Sequence, residues 1–149
     1  MRKSTLIVGA GPTGLTAAVE LTRLGQDVTI IDKRPGRSQL SRAVGILPAS
    51  LRILESSGVA ARIRQEAVRF TAFAFHHEAT EIARIPFGRQ ADGSDTVLGL
   101  PQDRTEAHLS EALNEMDVTV SYGTTFETLH QDDEGVTASF SGSQARFDY

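Results

Sequence analysis

The sequence contains no cysteine and no tryptophan, and only 6% of it is aromatic. Without cysteine there is no disulfide framework, no thiolate metal site and no cysteine nucleophile. A reducing, cytoplasmic setting fits that absence. No apolar run approaches the length of a membrane span. The N-terminus "MRKSTLIVGA" sets two basic residues before apolar ones, as a signal peptide would. Glycine interrupts the apolar region too early, so the segment reads as a strand. No internal repeat, low-complexity tract or Gly-x-Ser-x-Gly elbow occurs, and "QDDEG" (131–135) lacks the ligand spacing of a calcium loop.

The 149 residues are 40% hydrophobic and 23% charged, which suffices for one domain with a real core. Net charge is −4, unevenly spread. Residues 1–69 carry 11 Lys and Arg against 5 Asp and Glu, net +6; residues 70–149 carry 4 against 14, net −10. That balance argues against nucleic acid as a global partner and leaves room for an anionic ligand near the basic part.

Residues 4–8 read as a buried strand, 13–24 as a helix with Pro12 before it and Gly25 after it, and 28–31 as a second buried strand ended by Asp32. Strand, turn, helix and strand in about thirty residues begin a parallel α/β sheet. "KRPGRSQLSRAVGI" (33–46) is a basic loop. Short helices are expected at 48–56, with Leu51 and Leu54 inward, and at 58–66. Alternation through 68–87 predicts paired strands, 88–95 a loop and 97–101 a further strand. Residues 103–116 form a helix in which Asp103 caps, Glu106 completes a capping box, and Leu109 and Leu113 share a face. The tail predicts short antiparallel strands with "DDEG" and "SGSQ" as turns.

Gly9, Gly11 and Gly14 form Gly-x-Gly-x-x-Gly directly after a strand and at the opening of a helix, with an acidic residue closing the next strand. In that context the pattern is a dinucleotide-binding fingerprint. Gly9 allows the tight turn, Gly11 the approach of pyrophosphate, and Gly14 close helix–strand packing, while Asp32 accepts ribose hydroxyls. Pro12 and Thr13 complete the turn, whose helix N-terminus suits phosphate. The competing reading is a glycine-rich turn that binds nothing.

Three segments, "GAGPTGLTAAVELTRLGQDVTIIDKRP", "SRAVGILPASLRILESSGV" and "LPQDRTEAHLSEAL", occur in the order and spacing of FAD-dependent aromatic hydroxylases. Over nearly all of residues 4–149 the chain resembles the N-terminal part of this flavin monooxygenase family, the p-hydroxybenzoate and phenol hydroxylase group. The resemblance implies a Rossmann-like FAD-binding parallel sheet with a partial antiparallel sheet, the beginning of a substrate-domain sheet at about 69–100. It implies FAD as cofactor, NAD(P)H as transient electron donor and a small aromatic compound as substrate. It assigns FAD contacts to Gly9, Gly11, Pro12, Thr13, Gly14, Asp32, Lys33, Arg34, Arg42 and Gln102. Solvated charges are the alternative for Lys33, Arg34 and Arg42, and an ordinary loop or helix-start residue for Gln102.

No catalytic acid, base or metal ligand is assigned. His76 and His77 adjoin on a strand, where neighbours face opposite ways, and fit a half-exposed strand end better than a metal site. His108 is expected at the surface, and His130 adjoins an acidic turn. The family's later motifs, around an Asp-Gly pair and a Gly-Asp-Ala triplet, are expected beyond Tyr149. The chain therefore reads as a fragment, a natural truncation, or a piece completed by a C-terminal part or another chain. Another FAD oxidoreductase (a reductase or halogenase) and a non-catalytic FAD- or ADP-binding module are the other functions compatible with the sequence.

Overall fold

A computed structural model describes residues 3–39, 44–87 and 96–149. In chain order its elements are β1 (Ser4–Val8), α1 (Pro12–Arg23), β2 (Asp27–Asp32), β3 (Gly45–Ile46), α2 (Pro48–Ile53), α3 (Val59–Glu66), β4 (Val68–Arg69) and β5 (Ala72–His77). There follow β6 (Thr80–Pro86), β7 (Leu98–Gly99), α4 (Gln102–Glu115), β8 (Ser121–Tyr122), β9 (Phe126–Asp132), β10 (Gly135–Phe140) and β11 (Ser143–Phe147). They divide into two compact units, Met1–Ser41 with Gln102–Tyr149, and Arg42–Pro101.

The first unit is built on a parallel sheet of order β1-β2-β8. β1 and β2 run in register from Ser4 opposite Asp27 to Val8 opposite Ile31, and β8 sets Tyr122 opposite Asp32. α1 is the crossover between the first two strands. Pro12 stands at its first position, where no N–H is needed. At its other end Gly25 adopts φ +78° and donates its N–H to Thr22 O at 2.9 Å, while Gln26 N–H reaches Leu21 O at 3.0 Å. This Schellman pair satisfies carbonyls that the helix leaves open.

Leu15, Ala18 and Val19 of α1, Ile30 and Ile31 of β2, and Leu109 and Leu113 of α4 are all buried. Burying each such leucine stabilises the unit by about 1.5–3 kcal/mol. An antiparallel sheet, β11-β10-β9, completes the unit, with tight turns at Asp133–Glu134 and Ser141–Gly142. Its last residues return to β1, where Leu6 N–H donates to Tyr149 O at 2.9 Å.

The second unit holds α2, α3, a small antiparallel sheet β3-β7-β4 and the hairpin β5-β6. Leu51 and Leu54 are buried as expected, with Val59, Ala60 and Ile63 of α3. The alternating segment divides differently from expectation: β4 joins β7, and only β5 and β6 pair with one another. The hairpin's apolar residues Phe73, Phe75, Ile82 and Ile85 are exposed.

Two further expectations are corrected. α4 begins at Gln102, so Asp103 lies within the first turn and is not the cap. Glu106 does not close a capping box; its carboxylate is buried and accepts a hydrogen bond from the Gln102 side chain. His108 is buried rather than at the surface, with Nδ1 3.7 Å from Glu111 Oε2. The predicted loop at 88–95 lies outside the described residues. Among the described residues no helix is long and apolar enough to cross a membrane, and no cluster of three His, Asp or Glu residues could hold a metal.

Candidate functional site

The glycine turn joins β1 to α1, and its three glycines have different physical reasons. Gly9 has φ +105°, a conformation that L side chains avoid, and donates its N–H to Ile31 O at 2.8 Å. A Cβ on Gly14 would stand 1.9 Å from Gly9 O and 3.3 Å from an Ile7 methyl, so any side chain there would drive the helix off the strand. Gly11 is under neither constraint. Its φ is −79°, and a Cβ there would meet nothing within 4 Å. The fold itself therefore explains Gly9 and Gly14 but leaves open space over Gly11, at the N-cap of α1. The first amides of a helix lack partners within it and carry partial positive charge.

Asp32 ends β2 beside this turn and is buried. Its Oδ2 accepts the Ala10 N–H at 2.7 Å, which ties the turn to the second strand. Arg34 closes on the same carboxylate: backbone N–H to Oδ1 at 2.8 Å, Nε to Oδ1 at 3.0 Å and Nη2 to Oδ2 at 2.8 Å. Burial opposes ionisation of Asp32, but the bonds from Arg34 and Ala10 outweigh it and hold the carboxyl at about 2. Backbone bonds from Thr124 N–H to Asp32 O at 3.0 Å and Gly123 N–H to Arg34 O at 2.8 Å hold this segment against the end of β8.

The network extends to α4. Arg34 Nη1 lies 3.9 Å from Oε2 of the fully buried Glu106, whose Oε1 accepts the Gln102 Nε2 at 2.9 Å. Asp32, Arg34, Glu106 and Gln102 thus form one chain of polar contacts linking the end of β2 to the start of α4. Tyr122 of β8 contributes a buried hydroxyl without a hydrogen-bond partner among the described residues; burial pushes its pKa up from its ordinary value, against the pull of Arg34. A cleft of about 360 Å³ opens between Gly36–Gln39 and Asp103, Arg104 and Ala107 of α4.

Of the sequence-predicted residues, the structure places Gly9, Gly11, Pro12, Thr13 and Gly14 in the turn, and brings Asp32, Arg34 and Gln102 into the network. Lys33 is exposed. Arg42 lies outside the described residues. Glu106 and Tyr122 were not singled out for this site. The signal for Glu106 was present, since Gln102 and Glu106 are four apart and share a helix face. Tyr122 carried none, because its place opposite Asp32 depends on the pairing of β8.

The fold defines an α/β protein with a parallel sheet carrying the glycine turn, and separate antiparallel sheets. Its sequence matches the FAD binding domain family over residues 2–147, and the chain belongs to that family; its cofactor is FAD. It is 34% identical over 140 residues to pentachlorophenol 4-monooxygenase of Sphingobium chlorophenolicum, covering 91% of this chain and 26% of that enzyme. It is similar in structure to the flavin-dependent monooxygenase PieE, solved with FAD and substrate (TM-score 0.87, 30% identity, 100% of this chain and 29% of that one). It is also similar to p-nitrophenol 4-monooxygenase PnpA of Pseudomonas putida DLL-E4 (TM-score 0.86, 29% identity, 98% of this chain and 38% of that one). The chain thus spans between about a quarter and two-fifths of the length of these relatives.

Proposed function

We propose that the chain is the FAD-binding part of a flavoprotein monooxygenase that hydroxylates an aromatic compound, with NAD(P)H as electron donor and a cytoplasmic setting. Its parallel sheet serves as a Rossmann-like platform for the ADP half of the cofactor, and residues about 69–100 begin the sheet of a substrate domain. The observation that carries this reading is the open space over Gly11. The fold requires glycine on either side of it and not there, so the missing side chain is explained by a ligand's approach.

The residues present fit FAD. The turn from Gly9 to Gly14 would receive the pyrophosphate, with Pro12 and Thr13 opening the helix behind it. Asp32 would accept the ribose hydroxyls, Lys33 and Arg34 would supply positive charge nearby, and Arg42 and Gln102 would hold the flavin end. When bound, FAD supplies the redox and oxygen chemistry; the chain's own residues bind and orient it. Calorimetric titration with ADP and with FAD tests the site. Gly11→Val is expected to abolish binding while leaving the thermal midpoint within a few degrees of wild type. Equal affinity in the two proteins would overturn the assignment.

A further inference from the structure

A carboxylate offers about four lone-pair positions to donors. At Asp32 all four are taken. Oδ1 receives the Arg34 N–H and Nε–H, and Oδ2 receives the Ala10 N–H and Arg34 Nη2–H. Two of these donors are backbone groups fixed by the turn and the strand end. The other two belong to one side chain that is about a third exposed. A ribose hydroxyl finds no acceptor position on Asp32 while that guanidinium stays.

Beside the guanidinium stands a second, unfilled acceptor. Glu106 is fully buried, its Oε1 is engaged by Gln102, and its Oε2 has no hydrogen-bond partner among the described residues, lying 3.9 Å from Arg34 Nη1. The Tyr122 hydroxyl is likewise buried without a hydrogen-bond partner among the described residues. A buried oxygen left unpaired is unfavourable, more so when it is charged. The site therefore holds a cation on one carboxylate and, 3.9 Å away, a second carboxyl oxygen without a hydrogen-bond partner among the described residues.

We propose that Arg34 is exchanged between the two carboxylates: it occupies Asp32 in the free protein and moves onto Glu106 Oε2 when the adenosine ribose docks. Two ribose O–H donors then replace Nε–H and Nη2–H on Asp32, and the guanidinium keeps an anionic partner. Glu106 is thereby a positioning residue, acting on the cofactor only through Arg34, and Arg34 competes with the cofactor it was expected to bind. The inference rests on the reading of Asp32 as the ribose acceptor.

Calorimetry with ADP on the full 149-residue chain tests it. Arg34→Met removes the competitor and is expected to tighten ADP binding about fivefold, the equivalent of a partly exposed ion pair of about 1 kcal/mol. Glu106→Gln keeps the acceptor for Gln102 but removes the receiving charge. It is expected to weaken ADP binding by a similar factor when Arg34 is present and to have no effect in the Arg34→Met background. A purely structural role for Glu106 would weaken binding equally in both backgrounds and would overturn the proposal, as would unchanged or weaker binding by Arg34→Met. Should Arg34→Met fail to fold, the Arg34 Nε–H resonance of the wild type decides: it must shift at ADP saturation, and an unmoved signal overturns the exchange. Asp32→Asn separates the two levels. If it leaves ADP affinity unchanged, the ribose reading itself falls and the exchange with it. If it weakens binding while Arg34→Met does not tighten it, the exchange alone falls.

Discussion

Gly14 and Gly11 are alike in sequence and differ in what surrounds them. A methyl group at Gly14 meets the Gly9 carbonyl, whereas one at Gly11 meets open space. Gly14→Ala is therefore expected to destabilise the protein by about 1–3 kcal/mol as the helix shifts from the strand, read as a fall in the urea midpoint; an unchanged midpoint would contradict the packing. Asp32 supplies a pH signature. Its carboxyl is at about 2 against an ordinary 3.8, so its stabilising contribution is fully present above the ordinary value and lost as pH falls through about 2. Asp32→Asn is expected to cost on the order of 1 kcal/mol at neutral pH, allowing for solvent screening, with the gap closing on acidification toward pH 2. Thermal midpoints across that range check it, and a gap that widens in acid would be wrong in sign.

At the scale of elements, α4 does two jobs along one face, since positions 102, 106, 109 and 113 recur at helical spacing. Leu109 and Leu113 are fully buried, while Gln102 and Glu106 carry the polar network. Leu109→Ala is expected to cost about 2–5 kcal/mol. By contrast, Leu129→Ala on the exposed face of β9 is expected to change stability by no more than about 0.5 kcal/mol. Denaturant titrations compare them, and equal costs would mean that α4 does not pack as described. The same helix shows why the capping-box reading failed. The spacing from Asp103 to Glu106 is that of a capping box, but the spacing from Gln102 to Glu106 is that of helix neighbours. A carboxylate fully removed from water needs a donor, and Gln102 supplies one.

At the scale of the whole molecule, the chain spans 26% of one monooxygenase relative and 38% of another. Oxygen chemistry at a flavin must be shielded from water to transfer oxygen to a substrate. Of the residues of this chain, only Arg42 and Gln102 are expected at the flavin end. The 149-residue chain incubated with FAD, NADPH and a panel of phenols is therefore expected to give no hydroxylated product, with any slow NADPH consumption appearing as hydrogen peroxide. Hydroxylated phenol formed in step with NADPH consumption would contradict this.

Local patterns sufficed for the bounds of β1, α1 and β2, although β1 is half-buried with Val8 exposed rather than buried as expected, because each is set by residues close in sequence: an apolar run, Pro12 at a helix start, Gly25 past its end and an acidic strand terminus. The glycine turn was legible for the same reason. What only the tertiary structure decided depends on distant partners. The pairing of β8 sets Tyr122 opposite Asp32, β7 takes β4 from the expected run of paired strands, and α4 brings Glu106 to Arg34. No spacing rule reports such contacts, since a side chain's hydrogen-bond partners in a buried network are chosen by packing and desolvation across the fold. The sequence by itself therefore determined the glycine turn that is proposed to receive a dinucleotide. Only the folded molecule decided that Arg34 already occupies the carboxylate expected to receive it.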